Sequence, residues 1–280
     1  MEDIDGTNSR AVDLILEELK LLDTKNVVKR FRDSFIKRRI LLRAVEVGMD
    51  LEEYYDYFQR NRMKEYQKIL ELLLVSVTEF FRDKDVFEGI EKYIAPQVLQ
   101  NSDEKLKIWS AGCATGEEPY SVAMIFYERM KILGTSPTEP IIIASDINQE
   151  ALRVARIAIY PKDSLKKVPA IYMKYFDPIG SEYMRVNYEI RKLVEFKKED
   201  IFTVGYPKEY FDIVLLRNVL IYFSKESQVH LLKKIYELLK RDGYLVLGKT
   251  EAVPMELRDS FDYFKKDLGL RLRIYVKKEK

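Results

Sequence analysis

The sequence predicts an α/β fold: a helical N-terminal domain over residues 1–75, then a parallel sheet over 76–280 with a small β-element inserted at about 165–196. Three observations carry this. Up to about residue 75 the chain is rich in Leu, Glu, Lys and Arg, with no proline and, after its opening residues, only Gly48 as a helix breaker. From Leu106 onward, short apolar runs alternate with helical segments, as in parallel sheets. Between residues 160 and 195 that alternation is interrupted by short extended runs.

In the N-terminal part, Leu14, Ile15, Leu19 and Leu22, then Val27, Val28, Phe31 and Phe35, recur at helical spacing. Breaks are expected near Asp23-Thr24, Gly48-Met49-Asp50 and Asn61, giving a small bundle. The first strand is Lys107-Ile108-Trp109-Ser110, followed by a glycine turn and a helix from Pro119 to Leu133. After a loop at Gly134-Thr135-Ser136-Pro137, the second strand runs from Pro140 to Ser145, and Asp146-Ile147-Asn148 caps a helix from Gln149 to Arg156. Extended runs at Tyr183–Val186 and Leu193–Phe196 are assigned to the inserted element. Phe211–Leu216, a helix from Lys225 to Leu239, Gly243–Gly248 and a closing strand, Arg271–Val276, complete the sheet.

Composition excludes several classes of function. A single cysteine, Cys113, forbids an internal disulfide, and with only one histidine, His230, a His/Cys metal site is not expected. A net charge of +2 creates no global field for nucleic acid. The acidic opening, Met1–Asp5, lacks the features of a signal peptide, and no apolar run approaches membrane-spanning length, so a cytoplasmic protein is expected.

Parallel sheets bind ligands beyond the carboxyl ends of their strands, so the candidate site residues are expected at those ends. The first holds Gly112-x-x-x-Gly116 followed by Glu117-Glu118-Pro119-Tyr120, where glycine lets the backbone approach a ligand and the next helix offers free N–H groups. It is neither a dinucleotide fingerprint nor a P-loop. Its carboxylates would repel a phosphate but suit the positively charged methionine moiety of S-adenosylmethionine. Asp146 ends the second strand and suits either a pair of ribose hydroxyls or a helix N-cap. Asp200, after the run ending at Lys198, is either an acceptor for an adenine amino group or a solvated turn acid. Arg217 and Asn218 directly follow an apolar strand, where polar groups are costly without partners, whether those are a ligand or structural hydrogen bonds.

Four blocks, Thr78–Asp83, Trp109–Ser121, Arg217–Phe223 and Gly243–Glu251, occur in the same order as in the chemotaxis receptor methyltransferase family, CheR, which the chain resembles to about Pro254. The resemblance implies a Rossmann-like S-adenosylmethionine-dependent methyltransferase sheet and transfer of a methyl group to glutamate side chains of chemoreceptors. It implies a cofactor pocket drawing on Thr78, Arg82, Glu117, Asp146, Asp200, Ile201, Arg217 and Asn218, with Arg82 and Tyr222 near the transferred methyl and the acceptor. For these two the plain alternatives are an ion pair of Arg82 with Asp83 or Asp85, and a core role for Tyr222. It also implies a monomer. The alternatives are a same-fold methyltransferase of another sensory system and a non-catalytic adaptor.

Residues 25–43 carry eight basic side chains against the single acid Asp33, an excess of seven in a chain whose total is +2. With the resemblance placing receptor reading at this end, the run is expected to dock on an acidic helical coiled coil. Family members that tether to a receptor tail peptide share a Gly-x-Gly loop in the insert. Here Asp177–Glu182 is shorter and has only Gly180, so independence from a tail peptide is expected. Other departures are Ser76 for a frequent Asn, Ala158 for a common Gly, Asp200 for Asn, and Lys249-Thr250 for His-Ser.

Overall fold

The computed structural model describes residues 9–101, 106–134, 141–264 and 272–279. The opening residues Met1–Asp5, the loop Thr135–Pro137, the strand start Pro140 and Arg271 therefore lie outside the described residues. The chain divides into two compact units, one formed by residues to Val75 with Tyr222–Gln228, the other by Ser76–Ile221 with Val229 onward.

The first unit contains α1 (Arg10–Leu22), α2 (Asp33–Glu46), α3 (Leu51–Arg60) and α4 (Arg62–Leu73). Ser9 caps α1 by accepting from the Ala11 amide, and Asp50 and Glu53 form a reciprocal capping box on α3. Val12, Ile15, Leu16 and Leu19 of α1 pack with buried Ile36, Ile40, Tyr54, Phe58, Ile69 and Leu73 from the other helices. Glu65 is fully buried. It is compensated by a two-point pair with Arg43 (2.8 and 2.9 Å) and by the Tyr54 hydroxyl (3.0 Å). The helical spacing of Val27, Val28 and Phe31 does not produce a helix through them. Asp23 accepts from the amides of Val27 and Lys29, leaving only a 3₁₀ turn at Val28–Arg30. Phe31 then bridges to Phe223, and Arg32 N donates to Tyr222 O (2.9 Å).

The second unit begins with the short helices α5 (Lys84–Gly89) and α6 (Ala95–Asn101). It continues with β1 (Ile108–Ala111), α7 (Glu117–Ile132), β2 (Ile142–Asp146), α8 (Gln149–Ile157), β3 (Ile159–Pro161), β4 (Phe176–Ile179), β5 (Tyr183–Val186), α9 (Tyr188–Arg191) and β6 (Val194–Lys198). Next come β7 (Phe211–Leu216), α10 (Lys225–Leu238, of which the residues to Gln228 are grouped with the first unit), β8 (Leu239–Leu247), β9 (Phe261–Tyr263) and β10 (Ile274–Lys277). Seven strands form one sheet in the order β6-β2-β1-β7-β8-β10-β9. The first five are parallel, while β10 runs antiparallel to β8 and β9. The strand order reverses between β1 and β7, so a crevice is expected beyond their carboxyl ends. Every residue of β1 is buried, with the Trp109 indole donating to Ser145 Oγ (2.9 Å).

Two assignments change. The run at Leu193–Phe196 is not part of the insert: Val194–Lys198 is an edge strand of the main sheet, parallel to β2. The insert is a three-stranded sheet, β3-β5-β4, that starts at Ile159. The last strand does not close the sheet, because Phe261–Tyr263, unrecognised in the sequence, pairs outside it.

Candidate functional site

Five chain segments meet at the carboxyl ends of the parallel strands. After β1, Gly112 (φ 78°) and Gly116 (φ 96°) take left-handed conformations, and so does Ala114 (φ 48°) between them. At both glycines a side chain would collide. A Cβ on Gly112 would lie 2.8 Å from Val219 Cγ2, and one on Gly116 would lie 2.9 Å from Ala155 Cβ. Packing and conformation therefore both demand glycine here.

Asp146, at the end of β2, accepts from the Ala114 amide on one oxygen and from the Asn148 amide on the other, each at 2.8 Å. The helix cap belongs to Asn148, whose side chain accepts from Glu150 N and Ala151 N. Asp146 thus binds the glycine loop and keeps a spare lone pair on each oxygen. Burial pushes its carboxyl above the usual range, opposed by the amides of Asn148, Ala114 and Ile147. Glu117, in the first turn of α7, is also raised by burial and accepts from Thr115 Oγ1 at 2.6 Å. Such acceptors beside a left-handed loop fit a ligand carrying vicinal hydroxyls and a positive charge, as S-adenosylmethionine does.

Asp200 and Ile201 follow β6, and the Glu199 amide donates to Asp146 O (3.1 Å), which brings that turn beside the second strand end. Asp200 Oδ1 accepts from Phe202 N (2.9 Å), and Ile201 is largely buried. The Thr78–Asp83 segment is drawn in at two points. Asn148 Nδ2 donates to Ser76 Oγ (2.9 Å), and Phe81 N donates to Ser121 Oγ (3.1 Å). Thr78 is half-buried. The Arg82 guanidinium donates to Val77 O (3.3 Å) and makes no ion pair among the described residues. The alternative partners are occupied, Asp83 by Arg217 and Asp85 by Lys249.

Arg217, at the end of β7, is internal. Its side chain is 1% exposed and reaches Glu118 (3.1 Å), Asp83 (2.9 Å) and Arg82 O (2.5 Å). Asn218 has φ 59°, and its amide donates to Glu251 Oε2 (2.8 Å). Tyr222 belongs to the helical unit, where its ring lies 4.8 Å from that of Phe35. The expected pair Arg82 and Tyr222 therefore falls in different units.

Glu251 has no role in the sequence analysis, whereas Glu118 is expected there, with Glu117, to face the methionine moiety. Glu118 accepts from Ser110 Oγ (2.8 Å) and Arg217, so it is an internal counter-ion and not a second acceptor beside Glu117. Glu251, 4% exposed, accepts from the amides of Gly248, Asn218 and Ile221. The Glu251 block was recognisable in the sequence, but its backbone partners were not.

A profile of the family "CheR methyltransferase, SAM binding domain" matches residues 76–269. The chain is 30% identical to the chemotaxis protein methyltransferase of Borreliella burgdorferi over 208 residues, covering 72% of this chain and 73% of that one. It is 31% identical to the chemotaxis protein methyltransferase of Listeria monocytogenes over 225 residues (80% and 83%). With chemotaxis protein methyltransferase 1 of Pseudomonas aeruginosa it shares 34% identity over 199 residues (70% and 72%).

Proposed function

The chain belongs to the CheR methyltransferase family and is an S-adenosylmethionine-dependent methyltransferase, and from that premise we propose that it esterifies glutamate side chains of chemoreceptors. The observation that carries this reading is the meeting of Glu117, Asp146 and Arg82, which makes no ion pair among the described residues, with the 199–201 and 217–218 turns at one end of the parallel sheet.

S-adenosylmethionine would supply an electrophilic methyl group on a sulfonium; its S–CH3 bond breaks as the carboxylate O–CH3 bond forms, leaving S-adenosylhomocysteine. In this reading Asp146 accepts from the ribose hydroxyls and Glu117 faces the positively charged methionine portion. Thr78, Asp200, Ile201 and Asn218 complete the pocket, whereas the guanidinium of Arg217, a residue also expected there, is engaged by Glu118, Asp83 and Arg82 O. The acceptor glutamate, with an ordinary pKa of about 4.3, is ionised near neutrality and needs no general base. Arg82 orients one acceptor oxygen so that the other lines up with the methyl and sulfur. Tyr222 is assigned to the acceptor side on the family resemblance alone. Incubation with labelled cofactor and receptor cytoplasmic fragments tests the whole reading. Base-labile label on the receptor is expected, and absence of label on any receptor fragment overturns it.

Docking is assigned to the basic run of the helical unit. Within it Lys37 pairs with Asp13 (2.6 Å), Arg43 with Glu65, and Arg32 Nε donates to Phe223 O. Arg39 lies over the Phe35 ring. The charges most available to an acidic coiled coil are thus Lys25, Lys29 and Arg38, all exposed. Lys29→Glu with Arg38→Glu is expected to weaken receptor binding and remove its salt sensitivity. Unchanged receptor methylation in this variant would end the assignment.

Independence from a tail peptide has support in the insert. Peptides commonly bind by adding a strand to a sheet edge. The bonds Val186 N to Ala158 O and Lys162 N to Glu182 O turn residues 158, 160 and 162 toward β5, leaving Ile159 and Pro161 facing outward. On the other edge, Asn187 N to Tyr175 O turns 175, 177 and 179 inward, leaving Phe176 and Pro178 outward. Each free edge therefore presents a proline where an added strand needs a donor. No calorimetric signal is expected with receptor C-terminal peptides, and saturable binding would refute this.

A further inference from the structure

Resting on the reading of Arg82 as a residue beside the reacting groups, we propose that Arg217 is a positioning residue that fixes the 81–83 turn and thereby aims Arg82. The turn itself calls for such a device. Phe81 (φ 51°) and Asp83 (φ 60°), neither of them glycine, both adopt left-handed backbone on either side of Arg82. Such conformations persist only where the surroundings over-determine them, and they gather at sites where geometry matters.

The determinants are visible on both flanks. On one side the Phe81 amide donates to Ser121 Oγ, whose own hydroxyl donates to Glu117 O (2.7 Å). On the other, Arg217 Nη2 donates to Arg82 O (2.5 Å) and to Asp83 Oδ2 (2.9 Å), and Val86 N donates to Asp83 O (2.8 Å). Arg217 is itself anchored. Its Nη1 reaches Glu118 Oε2 (3.1 Å), Glu118 is held by Ser110 Oγ, and the guanidinium lies 5.0 Å from the centre of the Phe87 ring. The fork thus ties the end of β7 and the first turn of α7 to the backbone of Arg82.

The Arg217 side chain is 1% exposed and both its terminal nitrogens are engaged by Glu118, Asp83 and Arg82 O, so the effect of the guanidinium on methyl transfer is assigned to what it holds. Of its three partners, two belong to the turn that carries Arg82. A lysine at this position keeps the charge but cannot span Arg82 O, Asp83 and Glu118, because a point charge lacks the planar fork.

The test is a double-mutant cycle on the full chain, comparing Arg217→Lys, Arg82→Ala and both together. Receptor methylation gives kcat and KM, calorimetric binding of S-adenosylhomocysteine reports the pocket, and circular dichroism reports folding. Displacing a group by about 1 Å costs roughly 100-fold in rate, so a kcat loss approaching about 100-fold is expected for Arg217→Lys in the wild-type background. The same change is expected to cost less than about 3-fold when Arg82 is already alanine. Equal losses in both backgrounds, or no loss in either, overturn the proposal. Wild-type activity of Arg82→Ala would instead sink the role of Arg82, whatever Arg217→Lys does. Should Arg217→Lys fail to fold, Asp83→Asn replaces it, removing the charge of one partner at constant shape. The same dependence on Arg82 is expected, and additivity there overturns the idea equally.

Discussion

Asp146 does structural and ligand-facing work with the same two oxygens. Each accepts one backbone amide, from Ala114 and from Asn148, which fixes the carboxylate and leaves lone pairs for a ribose. Hydrogen bonds to a charged acceptor contribute about 1.5–3 kcal/mol, so Asp146→Asn is expected to weaken S-adenosylhomocysteine binding by roughly 10- to 100-fold, measured by calorimetry. The pH dependence follows from burial, which raises Asp146 and Glu117 above the ordinary carboxylate range. A raised acid takes up its proton at a higher pH than a free one. Protonation removes both the negative charge and an acceptor, so affinity is expected to fall on acidification before free carboxylates titrate at about pH 4. It should be flat at higher pH, where both groups are charged. Asp146→Asn should shrink the acid-side loss, and affinity that rises on acidification would contradict this assignment.

At the scale of elements, the turn after β7 is built by one carboxylate. Glu251 collects the amides of Gly248, Asn218 and Ile221, and a Cβ on Gly248 would stand 2.6 Å from Glu251 Oε2 and 2.8 Å from Asn218 N. Removing it strands several buried donors at about 1–3 kcal/mol each, partly offset by relief of a buried charge. Glu251→Ala is therefore expected to lower stability by about 3 kcal/mol, or roughly 10 °C in thermal midpoint, read by calorimetry. A change under about 1 kcal/mol would show that water replaces the carboxylate. The strands β1, β2 and β7 and the breaks at Asp23 and Gly48 were legible, because each depends on residues adjacent in sequence. What escaped depends on distant partners. Val194–Lys198 and Tyr183–Val186 are similar short extended runs, and only pairing with β2 or with β3 and β4 separates them. Glu117 and Glu118 are neighbours in sequence, yet successive residues of a helix point about 100° apart, so one meets the glycine loop and the other Arg217. Phe31 continues a helical rhythm that its bridge to Phe223 overrides.

For the whole molecule, the two units differ in a property that can be watched separately. The single tryptophan, Trp109, lies on β1 of the sheet unit, fully buried and stacked 5.4 Å from Phe211. Its indole bonds to Ser145, the residue before Asp146. The helical unit has no tryptophan, so tryptophan emission follows loss of the sheet unit, whereas far-ultraviolet dichroism follows both. A ligand that binds only the folded state stabilises it by about 2.7 kcal/mol at 100 times its Kd. For a unit of this size that corresponds to roughly 5–10 °C. S-adenosylhomocysteine is therefore expected to move the tryptophan-monitored transition upward by that amount, and Asp146→Asn should cancel most of the shift at the same ligand concentration. If the ligand binds by calorimetry but leaves the tryptophan transition in place, the pocket does not lie at the strand ends around Asp146.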